Sequence, residues 1–235
     1  GDVRAGKNGM EVPDHGTFSE KEWPDQEKGF ARMIEIIDSD VGRILDRLDE
    51  LGLAQNTLVL FSSDNGPHQE GGHKMTYFNS NGPLRGMKRD LYEGGIRVPL
   101  IVHWPGHIRP GVESDHISGF QDILPTLAEI AGKGVAETDG ISFAPTLLGD
   151  GGQQKKHPHL YWEFYEQGGK RAMRKGFWKA VQRNIRRSQN SPTELYDLSQ
   201  DLGETVDVSA QYPELVSEMK RLMDASHNDR MDVGL

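Results

Sequence analysis

Cysteine is missing from all 235 residues, which removes disulfides, thiolate-bound zinc and a cysteine nucleophile from consideration within this chain. Long apolar runs are missing too: no stretch approaches the ~20 residues that a membrane-spanning helix needs, so no membrane span is expected. The opening stretch, Gly1 to Gly16, is polar and glycine-rich, without the apolar centre of a signal peptide. It reads as the interior of a longer chain. A basic excess is lacking as well. The net charge is -9, and because a nucleic-acid surface needs cations to neutralise phosphate, this argues against nucleic acid as the main partner. No internal repeat or low-complexity tract interrupts the chain.

What is present suits a globular protein. Hydrophobic residues make up 35%, and four Trp, eight Phe and six Tyr are spread along the length, enough to build a substantial core in one large domain or in one domain with a small appendage. The charge is uneven. From Lys155 to Arg187 there are ten Lys or Arg against Glu163 and Glu166, a local charge of +8 inside an acidic chain.

From Phe30 to Leu51, apolar residues recur at spacings of three and four, which predicts a helix with one buried stripe, stopped at Gly52. Thr57 to Phe61 is an apolar run without polar alternation, expected to be a strand covered on both faces, and Val98 to Trp104 is another apolar strand candidate. Helix followed by buried strand is the repeat of an α/β sheet. A second helix is expected over Gln121 to Ala131, with Pro125 tolerated in its first turn. Beyond residue 150 the pattern changes to short strands at His159–Tyr165, Arg171–Met173, Phe177–Val181 and Glu194–Leu198. A last helix follows Pro213, with Leu215, Met219, Leu222 and Met223 inward. The expected division is 1–150 and 151–235.

Ser62-Ser-Asp-Asn-Gly-Pro67 begins where a predicted strand ends, and ligands of open α/β sheets gather at the carboxyl ends of strands. Asp64 and Asn65 offer a carboxylate and an amide oxygen, hard donors suited to Ca²⁺ or Mg²⁺. The same tripeptide is also an ordinary turn. Downstream come Gly71-Gly-His73, Gly82-Pro-Leu-Arg-Gly-Met-Lys88, Tyr92-Glu-Gly-Gly-Ile-Arg-Val-Pro99 and His103-Trp-Pro-Gly106. In order and spacing this series resembles the sulfatase family. The resemblance extends over nearly the whole chain, through Asp139-Gly-Ile-Ser, Leu147-Leu-Gly149, Glu194-Leu-Tyr-Asp-Leu198, Asp201-Leu-Gly-Glu-Thr205 and Pro213-Glu-Leu.

The resemblance implies a fold, a site and an origin. The fold is α/β, the remainder of an alkaline-phosphatase-like sheet sandwiched by helices, plus a small C-terminal antiparallel sheet packed with a terminal helix. Asp64 and Asn65 correspond to metal ligands, with Ca²⁺ the implied ion, and Lys88 to the lysine that contacts sulfate. His73 is a candidate for proton transfer, and His68 and Arg85 for substrate binding, each with a structural alternative. Arg97 is expected to be structural, pairing with Glu93 or another acid, and Trp104, His103, His157 and His159 are read as packing or surface residues.

The family's nucleophile is a formylglycine made from Cys or Ser in a Cys/Ser-x-Pro/Ala-x-Arg motif. No such motif occurs here, nor the family's N-terminal pair of aspartates. The chain is therefore expected to be the C-terminal part of an enzyme acting on a small-molecule or glycan sulfate ester. Its partner would be the missing N-terminal half, and it would be inactive alone. Family resemblance implies a periplasmic or secreted enzyme, and the lack of cysteine leans toward a bacterial one. Two other readings remain at this point: a phosphoesterase of the same superfamily, and a polyanion-binding module using residues 155–187.

Overall fold

The computed structural model describes residues 3–4, 11–135, 137–188 and 191–227. Contacts divide the chain into two compact units, 1–82 with 98–107, and 83–97 with 108–235.

In the first unit, β1 (Val3–Arg4) pairs antiparallel with β2 (Glu11–Val12). Helix α1 (Asp25–Glu50) starts five residues earlier than the apolar periodicity predicts, because Pro24 leads in and Asp25 and Glu27 favour the positive end of the helix dipole. It ends where Gly52 takes φ 67°, a conformation that glycine adopts without steric cost. Strand β3 (Val59–Ser62) follows. Its partner β4 (Leu100–His103) runs antiparallel, Leu60 opposite Val102 and Phe61 opposite Ile101. Both runs are strands as expected, but the first is not covered on both faces, Phe61 being 38% exposed, and Ile101 on the second is 59% exposed. The apolar stripe of α1 is likewise open, Ile34, Ile37 and Ile44 all being exposed.

The second unit begins with Pro83–Arg97, a strap that contains the short helix α2 (Glu93–Ile96). Then come α3 (Ile123–Ile130), with Pro125 in its first turn, and α4 (Ala144–Leu147). Four strands follow, β5 (Leu160–Phe164), β6 (Lys170–Lys175), β7 (Trp178–Arg183) and β8 (Thr193–Asp197), before the closing helix α5 (Pro213–Ser226). They form an antiparallel meander in the order β5-β6-β7-β8. Strand periodicity of two sends alternate residues to opposite faces. Met173, Ala180 and Leu195 meet Met219 and Met223 of α5. Ala172, Val181 and Tyr196 meet Leu91 and Tyr92 of the strap. Each large apolar side chain buried in this way contributes about 1.5–3 kcal/mol. The mixed α/β architecture with a small antiparallel sheet and terminal helix agrees with the expectation. No described helix is long and apolar enough to cross a membrane.

Candidate active site

Asp64 and Asn65 sit just beyond the carboxyl end of β3, where the backbone leaves the strand. Asp64 is exposed and Asn65 half-buried. Their side chains converge, the Asn65 amide donating to an Asp64 carboxylate oxygen. Amide oxygen and nitrogen have the same shape, so turning the Asn65 amide over would present two oxygens side by side, an arrangement that a cation would stabilise. The donor types therefore fit Ca²⁺, but two residues fall well short of the six to eight oxygens it takes. Among the described residues, no group of three or more His, Asp or Glu could hold a metal.

The two loop histidines lie in the same unit, near each other rather than apart, with ring centroids 6.0 Å from one another. His68 is half-buried and its Nδ1 accepts the backbone N–H of Glu70 at 3.0 Å. His73 has no exposed side-chain surface. Its ring stacks on Phe30 of α1 at 3.7 Å, and its Nδ1 meets the carboxylate of Glu27, whose other oxygen accepts the N–H of Lys74 at 3.0 Å. Burial and engagement favour the structural alternative for His73: it fastens the loop after β3 to the first turn of α1. Glu27 was not legible as its partner, because a single acid in a helical first turn looks like an ordinary dipole complement.

Arg85 and Lys88 belong to the second unit, on the strap. Arg85 lies with its guanidinium 3.9 Å from the Tyr92 ring, and one nitrogen donates to the Glu204 carbonyl at 2.7 Å and to the Tyr196 hydroxyl at 3.0 Å. Those contacts give it a scaffolding part. Lys88 is half-buried. The residues around it are held tightly: the Lys170 ammonium binds the Arg89 carbonyl at 2.9 Å and the Asp90 carboxylate at 3.0 Å, and Asp90 in turn accepts the Met87 N–H at 3.2 Å. Glycine is required behind the lysine. A Cβ on Gly94 would stand 2.5 Å from the carbonyl oxygens of Arg85 and Gly86, and one on Gly95 would stand 2.1 Å from that of Asp90. This is the steric content of Glu-Gly-Gly in the motif.

Glu93 is 1% exposed and is paired through both oxygens, to Lys179 and to Arg174, each at 2.8 Å. Arg97, expected to be structural and to pair with Glu93 or another acid, is exposed, and its charge adds a smaller share to holding the Glu93 carboxyl down. Burial raises the Glu93 carboxyl, but the charges of Lys179 and Arg174 outweigh it and hold the pKa below the usual carboxylate value. Glu204 is fully buried and accepts the backbone N–H of Glu93 at 2.7 Å; burial pushes its carboxyl up to about 7. Burial and the neighbouring Glu194 carboxylate likewise push the Tyr196 hydroxyl up to about 12. None of these buried ionisable partners was evident from sequence beyond Glu93 and the surroundings of Glu204 lying in motif stretches.

The basic segment is largely neutralised. Six of the segment's ten cations, Lys170, Arg171, Arg174, Lys175, Lys179 and Arg183, are engaged in ion pairs within the second unit. His157, read as a packing or surface residue, binds the fully buried Asp122 at 2.8 Å, and Asp122 also accepts the N–H groups of Gly119 and Ile141.

The sequence also matches known proteins. The model of the sulfatase family matches residues 13–133, and that of the N-sulphoglucosamine sulphohydrolase C-terminal region matches residues 87–229. The chain is 33% identical over 210 residues to arylsulfatase A of Homo sapiens, covering 79% of this chain and 41% of that protein. It is 41% identical over 137 residues to steryl-sulfatase of Mus musculus, covering 56% and 22% respectively. The crystal structure of Ps i-CgsB superposes with a TM-score of 0.74 at 28% identity, covering 92% of this chain and 46% of that one. Ps i-CgsB has also been solved in complex with k-i-k-neocarrahexaose. The chain thus spans less than half the length of each of these relatives.

Proposed function

The chain belongs to the sulfatase family, and we propose that the enzyme it forms part of is a sulfuric ester hydrolase acting on aryl or carbohydrate sulfates. One observation carries the reading: an Asp-Asn pair at a strand's carboxyl end is followed, in family order, by a lysine on a strap clamped on either side. The Lys88 ammonium is suited to meet negative charge on sulfate oxygens, which grows as sulfur is attacked. Asp64 and Asn65 would contribute oxygens to a Ca²⁺ completed by ligands from outside the chain. That ion, with a formylglycine also outside the chain, supplies the electrophilic pull and the nucleophile. His68 has the exposure to touch substrate, whereas Arg85 is engaged in scaffolding.

The partner is the remaining part of the same enzyme. Support comes from faces in the first unit that burial would favour: Ile34, Ile37 and Ile44 on α1, Phe61 on β3 and Ile101 on β4. Alone, the 235-residue chain is then inactive and binds Ca²⁺ more weakly than about 1 mM, the weak end for sites with full ligand sets.

Turnover of 4-nitrophenyl sulfate by the full-length enzyme tests the reading. Asp64→Ala and Lys88→Ala are each expected to lower kcat/KM by about 10²- to 10³-fold, the usual cost of removing a group that stabilises developing charge. Wild-type rates in both variants, or cleavage of 4-nitrophenyl phosphate in preference to the sulfate, would refute it. Turnover by the 235-residue chain alone, sensitive to Asp64→Ala, would refute the claim of inactivity.

A further inference from the structure

The buried charges of the second unit are arranged around one segment. Lys179 and Arg174 reach Glu93 from β7 and β6, because both lie on the sheet face that looks toward the strap. Glu204 takes the first N–H of α2 and stands 3.9 Å from the Lys179 ammonium. From the other side, Lys170 holds the Arg89 carbonyl and the Asp90 carboxylate. Between these two anchors runs the segment that carries Lys88.

Such a cluster is a costly way to hold a fold together. Taking the charges of Glu93 and Lys179 out of water is costly, and apolar residues of similar volume commonly serve stability as well or better. What fixed ion pairs provide in addition is direction: Lys179 and Arg174 hold both oxygens of Glu93 in one orientation. A misplacement of about 1 Å in a group acting on substrate can cost on the order of 100-fold in rate.

We propose that Glu93 with Lys179, Arg174 and Glu204, and Lys170 on the opposite flank, are positioning residues that set the placement of Lys88 against the sulfate group. The proposal rests on the reading of Lys88 as a sulfate-contacting residue. None of the five touches the reacting atoms in this scheme; each acts through the strap.

The test is a set of double-mutant cycles in the full-length enzyme, read by 4-nitrophenyl sulfate turnover and by hydrogen exchange. Glu93→Gln and Lys170→Met disturb the two anchors independently. Each is expected to lower kcat/KM about 10- to 100-fold in the wild-type background and to have little further effect in Lys88→Ala, because coupled residues fail to add. Each should also speed amide exchange in residues 84–92 by a larger factor than in β6–β7. If Glu93→Gln does not fold, Glu204→Gln, which keeps an acceptor for the Glu93 N–H, replaces it. Equal losses in both backgrounds, or unchanged exchange in residues 84–92, would overturn the positioning role while leaving Lys88's own role intact. A Lys88→Ala enzyme with wild-type turnover would instead remove the reading on which the proposal stands.

Discussion

The β3–β4 pair is written in nearly continuous apolar runs and the β5–β8 meander in strands that mix apolar with charged residues, yet it is the meander that is the more deeply buried. In the meander, Ala172, Met173, Ala180 and Leu195 are 0% and Val181 1% exposed, because α5 covers one face and Leu91 with Tyr92 packs on the other. In the pair, Phe61 and Ile101 stand open to solvent at 38% and 59%. An apolar run therefore states how much burial a strand calls for, and the chain at hand decides how much it receives. The second unit holds its own covering elements. The described residues of the first cover these faces only in part.

The largest effects should fall where burial is complete. Glu93→Gln leaves Lys179 and Arg174 beside a neutral amide, and breaking a buried pair from one side costs about 3–5 kcal/mol. Urea unfolding of the 235-residue chain measures this; a loss below about 1 kcal/mol would show that water reaches the cluster. Leu195→Ala opens a cavity between β8 and α5 and should cost about 2–5 kcal/mol. Ile101→Ala on the open strand should cost no more than about 0.5 kcal/mol in the same chain. Similar losses at the two positions would erase the contrast between the regions.

A smaller effect should appear in the pH dependence of the second unit. The Glu204 carboxyl keeps its proton up to about 7 in the folded protein, against an ordinary value of 4.5. Between those pH values the folded state binds more protons than the unfolded one, so stability falls as pH rises. Glu93 acts in the other direction: its pKa is lowered, so its contribution is present above 4.5 and is lost as pH falls through its folded value. Glu204→Gln should flatten the decline in Tm between pH 5 and 7, an effect of a few degrees for a domain of this size. An undiminished slope in that variant would assign the titration to another group.

Much of the second unit was legible because its elements carry their own periods and stops. Short strand-like runs set apart by Gly, Ser and Pro located all four meander strands within about two residues, and the spacing of Leu215, Met219, Leu222 and Met223 gave the inner face of α5. The start of α1 was missed because its first turn, Asp25 to Gly29, is set by charge and a preceding proline rather than by apolar spacing. The candidate site was legible only as a motif. Asp64, Asn65 and Lys88 carry no local signal that separates a ligand from a turn or a surface lysine. Their scaffold was less visible still: Lys170 and Lys179 read as members of a basic run, and only the pleat of β6 and β7 shows that they point inward to Asp90 and Glu93.

The smallest expected effect is also the most direct probe of the open face. Ile44 is 58% exposed on α1, so Ile44→Ser removes little buried area in the 235-residue chain and should change stability by no more than about 0.5 kcal/mol. Removing an exposed apolar side chain should also reduce self-association, since contiguous apolar surface is what drives it. In the full-length enzyme the same substitution meets a different surrounding. If the remaining part of the protein covers this stripe, the serine is buried, and the loss rises to about 1.5–3 kcal/mol, the value of an isoleucine taken out of water. Urea titrations of both proteins, each with and without the substitution, give the difference. A cost that stays near zero in the full-length enzyme would mean that α1 faces solvent there too, and that some other face meets the rest of the enzyme.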